Sequence, residues 1–182
     1  MYQIFDFFRR PDGTVHPAAK AAGGAAVAIA IAATVIGPLE GLATKPYVDR
    51  IGTGQPITWC YGETKADRPV PPLGTVFTKQ ECTQQLEEDL TKKYDPEVRK
   101  CVHVAMPPHR EAALVSFVYN LGQGALCNPA RGTYTAVAGN LNAGNVRAGC
   151  SAMLAYDHAS GRKIAGLTRR RQTEYALCMR TD

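Results

Sequence analysis

The chain predicts an α+β fold, in which a small β-hairpin region precedes a larger helical body and a weakly hydrophobic helix stands at the N-terminal end. Three observations carry this. Residues 21–39 contain no charged side chain. Residues 47–62 mix β-branched and aromatic residues with closely spaced Gly and Pro, the composition of short extended segments joined by turns. From Thr78 onward, helix-start signals and apolar residues at helical spacing dominate. With 182 residues, 45% of them hydrophobic and 20% charged, the chain suits one domain with a real core and a short appendage. Two full domains and a disordered chain are both disfavoured.

Residues 1–20 carry Arg9, Arg10 and Lys20 against Asp6 and Asp12, with Phe5, Phe7 and Phe8 beside them, a basic flank of the kind retained on the cytoplasmic side of a membrane. The uncharged stretch 21–39 gives roughly 28 Å of helix, enough to cross a bilayer core of about 30 Å. Ala and Gly supply most of it, and only Val27, Ile29, Ile31, Val35, Ile36 and Leu39 are strongly apolar. At about 0.8 kcal/mol per buried carbon, it holds a bilayer less tightly than a Leu-rich anchor by on the order of 20 kcal/mol. Three readings fit: a cleaved secretory signal, with Ala-x-Ala at 28–30 and 30–32, a permanent anchor, and a segment that inserts and later escapes. All three leave Glu40 on the mature chain.

After the hairpin region, residues 65–76 hold Pro69, Pro71 and Pro72 and read as loop. Thr78-Lys79-Gln80-Glu81 is a capping box, and Cys82, Leu86 and Leu90 on one face predict a helix over 79–93. Asp95-Pro96 restarts a helix carrying Val98, Cys101 and Val102. Pro107-Pro108 opens another with Leu114, Phe117, Val118 and Leu121 at core spacing and Gly122 as its stop. Shorter helices are expected at 132–141, 145–156 and 167–180, with a polar loop over 158–166.

A net charge of +5 suits an anionic partner such as cell-wall polymer, a membrane surface or nucleic acid, or simply a solvated basic face. The six cysteines, Cys60, Cys82, Cys101, Cys127, Cys150 and Cys178, form no C-x-x-C pair and have no His at zinc spacing. Neither a metal nor a cofactor is expected, since no phosphate-binding or dinucleotide glycine pattern occurs. Disulfides are the better reading for an exported chain, and six cysteines allow fifteen pairings among which the residues do not choose.

Chemistry is suggested by Glu40, Asp49 and Thr58. Cleaving a glycosidic bond takes one carboxylic acid to protonate the leaving oxygen and a second carboxylate to activate water or attack the sugar. Glu40 follows Val35, Ile36 and Leu39 near a helix end, a setting that suits the acid. Asp49 lies in a polar, Gly-flanked stretch, and the Thr58 hydroxyl is placed to hold water. A Glu and an Asp nine positions apart are weak evidence alone.

The surrounding residues strengthen it. Glu40-Gly41-x5-Tyr47-x-Asp49, then Thr58-x-Cys60-Tyr61-Gly62-x-Thr64, closely resembles the catalytic signature of the phage lysozyme family related to the T-even phage muramidase. The resemblance continues through Leu86-x2-Asp89-Leu90, the run from Ala112 to Ala125, Leu141-Asn142-Ala143-Gly144, and Gly166-Leu167-x2-Arg170-Arg171-x2-Glu174, covering roughly residues 38–180. It implies a lysozyme-like fold and an endolysin cleaving the β-1,4 bond between N-acetylmuramic acid and N-acetylglucosamine in peptidoglycan. It also implies Glu40 as acid, Asp49 as base or water-orienting carboxylate, Thr58 as helper, and a cleft between hairpin and helical body. The leader resembles the signal-arrest-release segment of one endolysin branch. That implies a tether in the host inner membrane over residues 21–39, a basic flank over 1–20, a catalytic domain over 40–182, and release into the periplasm as a monomer with no nucleic-acid partner.

Two departures stand out. The spacing from Asp49 to Thr58 is longer than the family's, so residues 53–55 read as an insertion in the hairpin. Glu63 stands where many relatives have His, a third carboxylate near the cleft. A lytic transglycosylase and a non-catalytic, membrane-anchored wall-binding protein are the competing readings. Arg169, Arg170 and Arg171 read as a solvated helix face with one structural ion pair, and Trp59 as either core or a sugar platform.

Overall fold

The computed structural model describes residues 17–50, 54 and 56–181, with only the backbone over 17–22. Most of the basic flank, and residues 53 and 55 of the expected insertion, lie outside the described residues.

Helix α1 (Pro17–Glu40) begins at a proline, whose missing N–H costs nothing in a first turn, and contains the whole uncharged stretch. Ala28, Ile29, Ala32, Ala33 and Ile36 recur at the spacing of one helix face and are buried. That face packs on α4 (Pro108–Leu121), which also contacts α7 (Ala165–Cys178), so α4 is the centre of the helical body. In α4 every residue from Glu111 to Val118 is buried, and Gly122, at φ 76°, takes the left-handed turn that ends it.

Between α1 and α4 the chain makes an antiparallel hairpin, β1 (Ala43–Val48) and β2 (Ile57–Cys60), in the register Tyr47 opposite Thr58 and Val48 opposite Ile57. The hairpin therefore begins a few residues earlier than the composition suggested. The capping box at Thr78 forms as expected: Glu81 N–H donates to the Thr78 hydroxyl at 3.1 Å and Thr78 N–H to the Glu81 carboxylate at 2.7 Å. Helix α2 (Lys79–Asp89) does not stop before the next helix. It passes through a π-helical turn, Leu90–Tyr94, into α3 (Asp95–Cys101). Pro96 has no N–H for the carbonyl four residues back, and the wider turn falls there.

Two small hairpins revise the expected helices at the C-terminal side. β3 (Cys127–Asn128) pairs with β4 (Thr133–Tyr134), which delays α5 to Ala136–Asn142. α6 (Val146–Ala152) follows and ends in a single 3-10 turn. The loop expected over 158–166 contains β5 (His158–Ala159) and β6 (Arg162–Lys163), joined by Ser160 and Gly161 at φ 48° and 74°, as a tight two-residue turn requires.

All six cysteines are paired in sequence order. Cys60–Cys82 joins β2 to α2, Cys101–Cys127 joins the end of α3 to β3, and Cys150–Cys178 joins α6 to α7. Trp59 resolves as core: it is 1% exposed and its indole N–H donates to Gln85 Oε1 at 3.1 Å.

Candidate active site

Glu40 is the last residue of α1. Gly41 follows at φ 80°, its N–H bonded back to the Gly37 carbonyl at 3.1 Å, an end that turns the chain from helix into β1. Asp49 follows β1 directly, and its N–H donates to the Pro56 carbonyl at 2.9 Å, extending the ladder by one residue. Thr58 lies in β2, buried, opposite Tyr47. Residues two apart on a strand share a face with their cross-strand partners, so Asp49, Tyr47 and Thr58 belong to one face of the hairpin. The fold thus brings Asp49 and Thr58 together, whereas Glu40 stands at the helix end three residues before the hairpin begins.

The surroundings of Glu40 differ from the expectation. Its Oε1 pairs with Arg170 Nη1 at 2.5 Å rather than with apolar neighbours. Arg170 is itself buried and donates from Nε to Glu174 Oε1 at 3.2 Å and from Nη2 to the Ser116 carbonyl at 3.3 Å. Glu174, fully buried, also accepts from the Ser116 hydroxyl at 2.8 Å and pairs with Arg171 at 2.8 Å. Arg171 reaches Asn120 Oδ1 at 2.9 Å and lies over the Phe117 ring. The alternating chain Glu40, Arg170, Glu174, Arg171 runs from the accessible end of α1 into the buried body, carboxyl and guanidinium in turn. Burial still pushes the Glu174 carboxyl above its ordinary range and the Arg171 guanidinium below its own.

The expectation of a solvated arginine face therefore holds for Arg169, which is exposed, and fails for Arg170 and Arg171. The signal that would have found them is the spacing itself: Arg170 and Arg171 stand four and three residues before Glu174, on one helix face.

A second buried set lies where β2 ends. Tyr119, on α4, donates its hydroxyl proton to the Tyr61 carbonyl at 2.8 Å and stacks at a tilt on Tyr94. Its phenol is held above its ordinary range by burial, then by the Glu40 and Glu63 carboxylates near it. Glu63, 3% exposed, accepts the Tyr61 N–H at 2.8 Å. A separate groove of ≈ 580 Å³ runs between the second half of α1 and α2, lined by Thr34, Gly37, Tyr61, Lys79, Thr83 and Glu87. Glu40, Asp49 and Thr58 are not among its lining residues.

Comparison with known proteins decides the family. The phage lysozyme family model matches residues 37–174, a span that starts just before Glu40 and ends at Glu174. The chain belongs to the phage lysozyme family. It is 33% identical over 158 residues to a SAR-endolysin of bacteriophage PS119, covering 84% of this chain and 87% of that one. A SAR-endolysin of enterobacteria phage PA-2 is 31% identical over 166 residues, covering 88% and 92%. Among solved structures, a mutant of P22 lysozyme superposes with a TM-score of 0.68 at 26% identity, covering 82% of this chain and 95% of that chain. As a phage lysozyme the chain is a glycosidase. Its apolar α1 is, among the described residues, the one helix long and apolar enough to cross a membrane.

Proposed function

We propose that this phage lysozyme is an endolysin that hydrolyses the β-1,4 bond between N-acetylmuramic acid and N-acetylglucosamine, with Glu40 as general acid, Asp49 as the carboxylate that activates water, and Thr58 as the hydroxyl that holds it. The observation that carries this reading is the placement of Glu40 at the close of α1, immediately before a hairpin that sets Asp49 and Thr58 on one face. Arg170 fixes the carboxyl through Oε1, so that Oε2 carries the proton to the glycosidic oxygen as the bond to C1 breaks. Water held by Thr58 adds to C1 and gives its proton to Asp49. The Arg170 pairing orients the acid, the kind of positioning on which general catalysis depends.

The same helix end supplies the restraint. Residues 21–39 tether the chain in the host inner membrane, residues 1–20 form its basic flank, and residues 40–182 form the catalytic domain that works in the periplasm as a monomer, without nucleic acid. While the span is in lipid, Ala28, Ala32 and Ile36 cannot occupy their places on α4, and Glu40 cannot meet Arg170. Release of the helix is then what assembles the acid.

Wall suspensions cleared by purified parent and Glu40→Gln protein test the assignment. The Gln variant should be slower by at least about a hundredfold, the lower end for removal of a general acid. The parent's products should carry a hydrated muramic end. Parent products lighter by one water would mean transglycosylation instead, and clearing by Glu40→Gln at the parent rate would remove Glu40 from the chemistry.

A further inference from the structure

The turn that closes β2 holds a carboxyl that the reaction above does not use. Trp59 and Glu63 face each other across the turn as an isolated antiparallel bridge, with Trp59 N–H donating to the Glu63 carbonyl at 3.2 Å and Glu63 N–H to the Trp59 carbonyl at 3.0 Å. Inside it, Cys60 and Gly62 take positive φ of 49° and 105°, a conformation that L side chains rarely adopt and that must be held from outside. The Cys60–Cys82 disulfide ties one end of it to α2, and Glu63 holds the other: its Oε2 accepts the Tyr61 N–H at 2.8 Å, while the Tyr61 carbonyl accepts the Tyr119 hydroxyl from α4. Thr58 lies one residue before the bridge.

The other oxygen, Glu63 Oε1, is buried and has no hydrogen-bond partner among the described residues. A charged carboxylate would carry a large desolvation cost there. The groups facing it relieve only part of that cost. Asp89, on α2, is of like charge, and Arg68, in the loop, already donates to Asp89 at 2.7 Å. Tyr119, on α4, feels both Glu63 and Glu40.

We propose that Glu63 is a positioning residue for the reaction, one whose carboxyl clamps the turn at residues 59–63 and thereby fixes Thr58 and the hairpin end against α4. This rests on the catalytic roles given above to Glu40, Asp49 and Thr58. Burial, the largest influence, pushes the Glu63 carboxyl up to about 7, against the pull of backbone N–H groups and Arg68 and with the push of Asp89. Once ionised, Glu63 Oε1 needs a donor. Arg68 is close enough to act on it and has a buried Nε without a hydrogen-bond partner among the described residues. Drawing Arg68 toward Glu63 competes with Asp89 and loosens the turn.

The test measures kcat/KM on wall suspensions at constant ionic strength from about pH 5 to about pH 9, for the full-length parent and for Glu63→Gln, Glu63→Ala and Asp89→Asn. Parent activity should fall roughly tenfold per pH unit above about pH 7 as the clamp ionises. Glu63→Gln, which keeps an acceptor for Tyr61 N–H but cannot ionise, should stay within about twofold of the parent at about pH 5.5 and lack that fall. Asp89→Asn releases Arg68 to favour the charged carboxyl and should move the fall to lower pH. Glu63→Ala should be slower at every pH while giving the parent's far-UV spectrum. An unchanged alkaline fall in Glu63→Gln, or equal loss at every pH, overturns the proposal. Should Glu40→Gln stay active, the catalytic reading fails on its own. Hydrogen exchange at the Tyr61 amide, protected below neutral pH in the parent and at every pH in Glu63→Gln, still judges the clamp.

Discussion

Glu40 and Glu63 close the two elements on either side of the hairpin, α1 and the β2 turn, and their environments differ sharply. Glu40 keeps a quarter of its side chain exposed and sets one oxygen on a guanidinium that is braced by Glu174 and Ser116. Glu63 is buried, braces a strained turn with one oxygen and, among the described residues, has no partner for the other. The role proposed for Glu40, passing a proton to a sugar, needs a carboxyl that is reachable and aimed, and a cationic partner aims it. A carboxyl that only has to hold a turn can be sealed away, and then its charge becomes the liability.

The most severe way to break this contrast is to remove the partner from Glu40. Arg170→Met leaves Glu174 with Arg171 and the Ser116 hydroxyl and takes the aim from Glu40, at a cost of about 3 kcal/mol or more for a broken buried pair. The urea midpoint should fall accordingly and wall clearing should slow. A variant as stable and as fast as the parent would show that the buried charges are idle.

Next comes the helix that brings Glu40 to its place. Ala28→Leu with Ala32→Leu adds on the order of 5 kcal/mol of affinity for lipid, and overpacks the contact with α4 by about 1–3 kcal/mol. Both shifts favour the tethered form. The doubly substituted chain should stay in the membrane fraction, and cells producing it should lyse late. Unaltered release would separate the tether from the packing.

The smallest effect lies on the Glu63 side and reads out as stability. Burial first, then Asp95, also pushes Glu111 up to about 7, although Arg99 pairs with it. Both carboxyls have a folded-state pKa above the unfolded value of about 4.3. Their contribution to stability is therefore fully present below that value and lost as pH rises through about 7. The thermal midpoint should fall between about pH 5 and about pH 8, and Glu63→Gln should make that fall shallower while Glu111 keeps the remainder.

Much of the fold was legible because its signals are local. The capping box at Thr78, the prolines before α4 and the glycine after it each act within one helical turn. Two-residue strands such as β3 and β5 show no alternation that a pattern can register, and they form because their partners return within a few residues. The candidate site divides the same way. Glu40, Asp49 and Thr58 stand in one motif, whereas the partner of Glu40 lies 130 residues away on α7. Arginine reads as surface until a contact at that range shows what neutralises it. Glu63 showed itself only as a departure from the family pattern. Its burial, its place in the turn and its unpartnered oxygen depend on how α2 and α4 close over it.

The decisive measurement places Glu40→Gln and Glu63→Gln side by side on one wall substrate across neutral pH. Glu40→Gln should be slower than the parent by at least about a hundredfold at every pH, and Glu63→Gln should remain active and lose only the alkaline decline. If Glu63→Gln is the inactive protein and Glu40→Gln the active one, the assignment of the acid is contradicted.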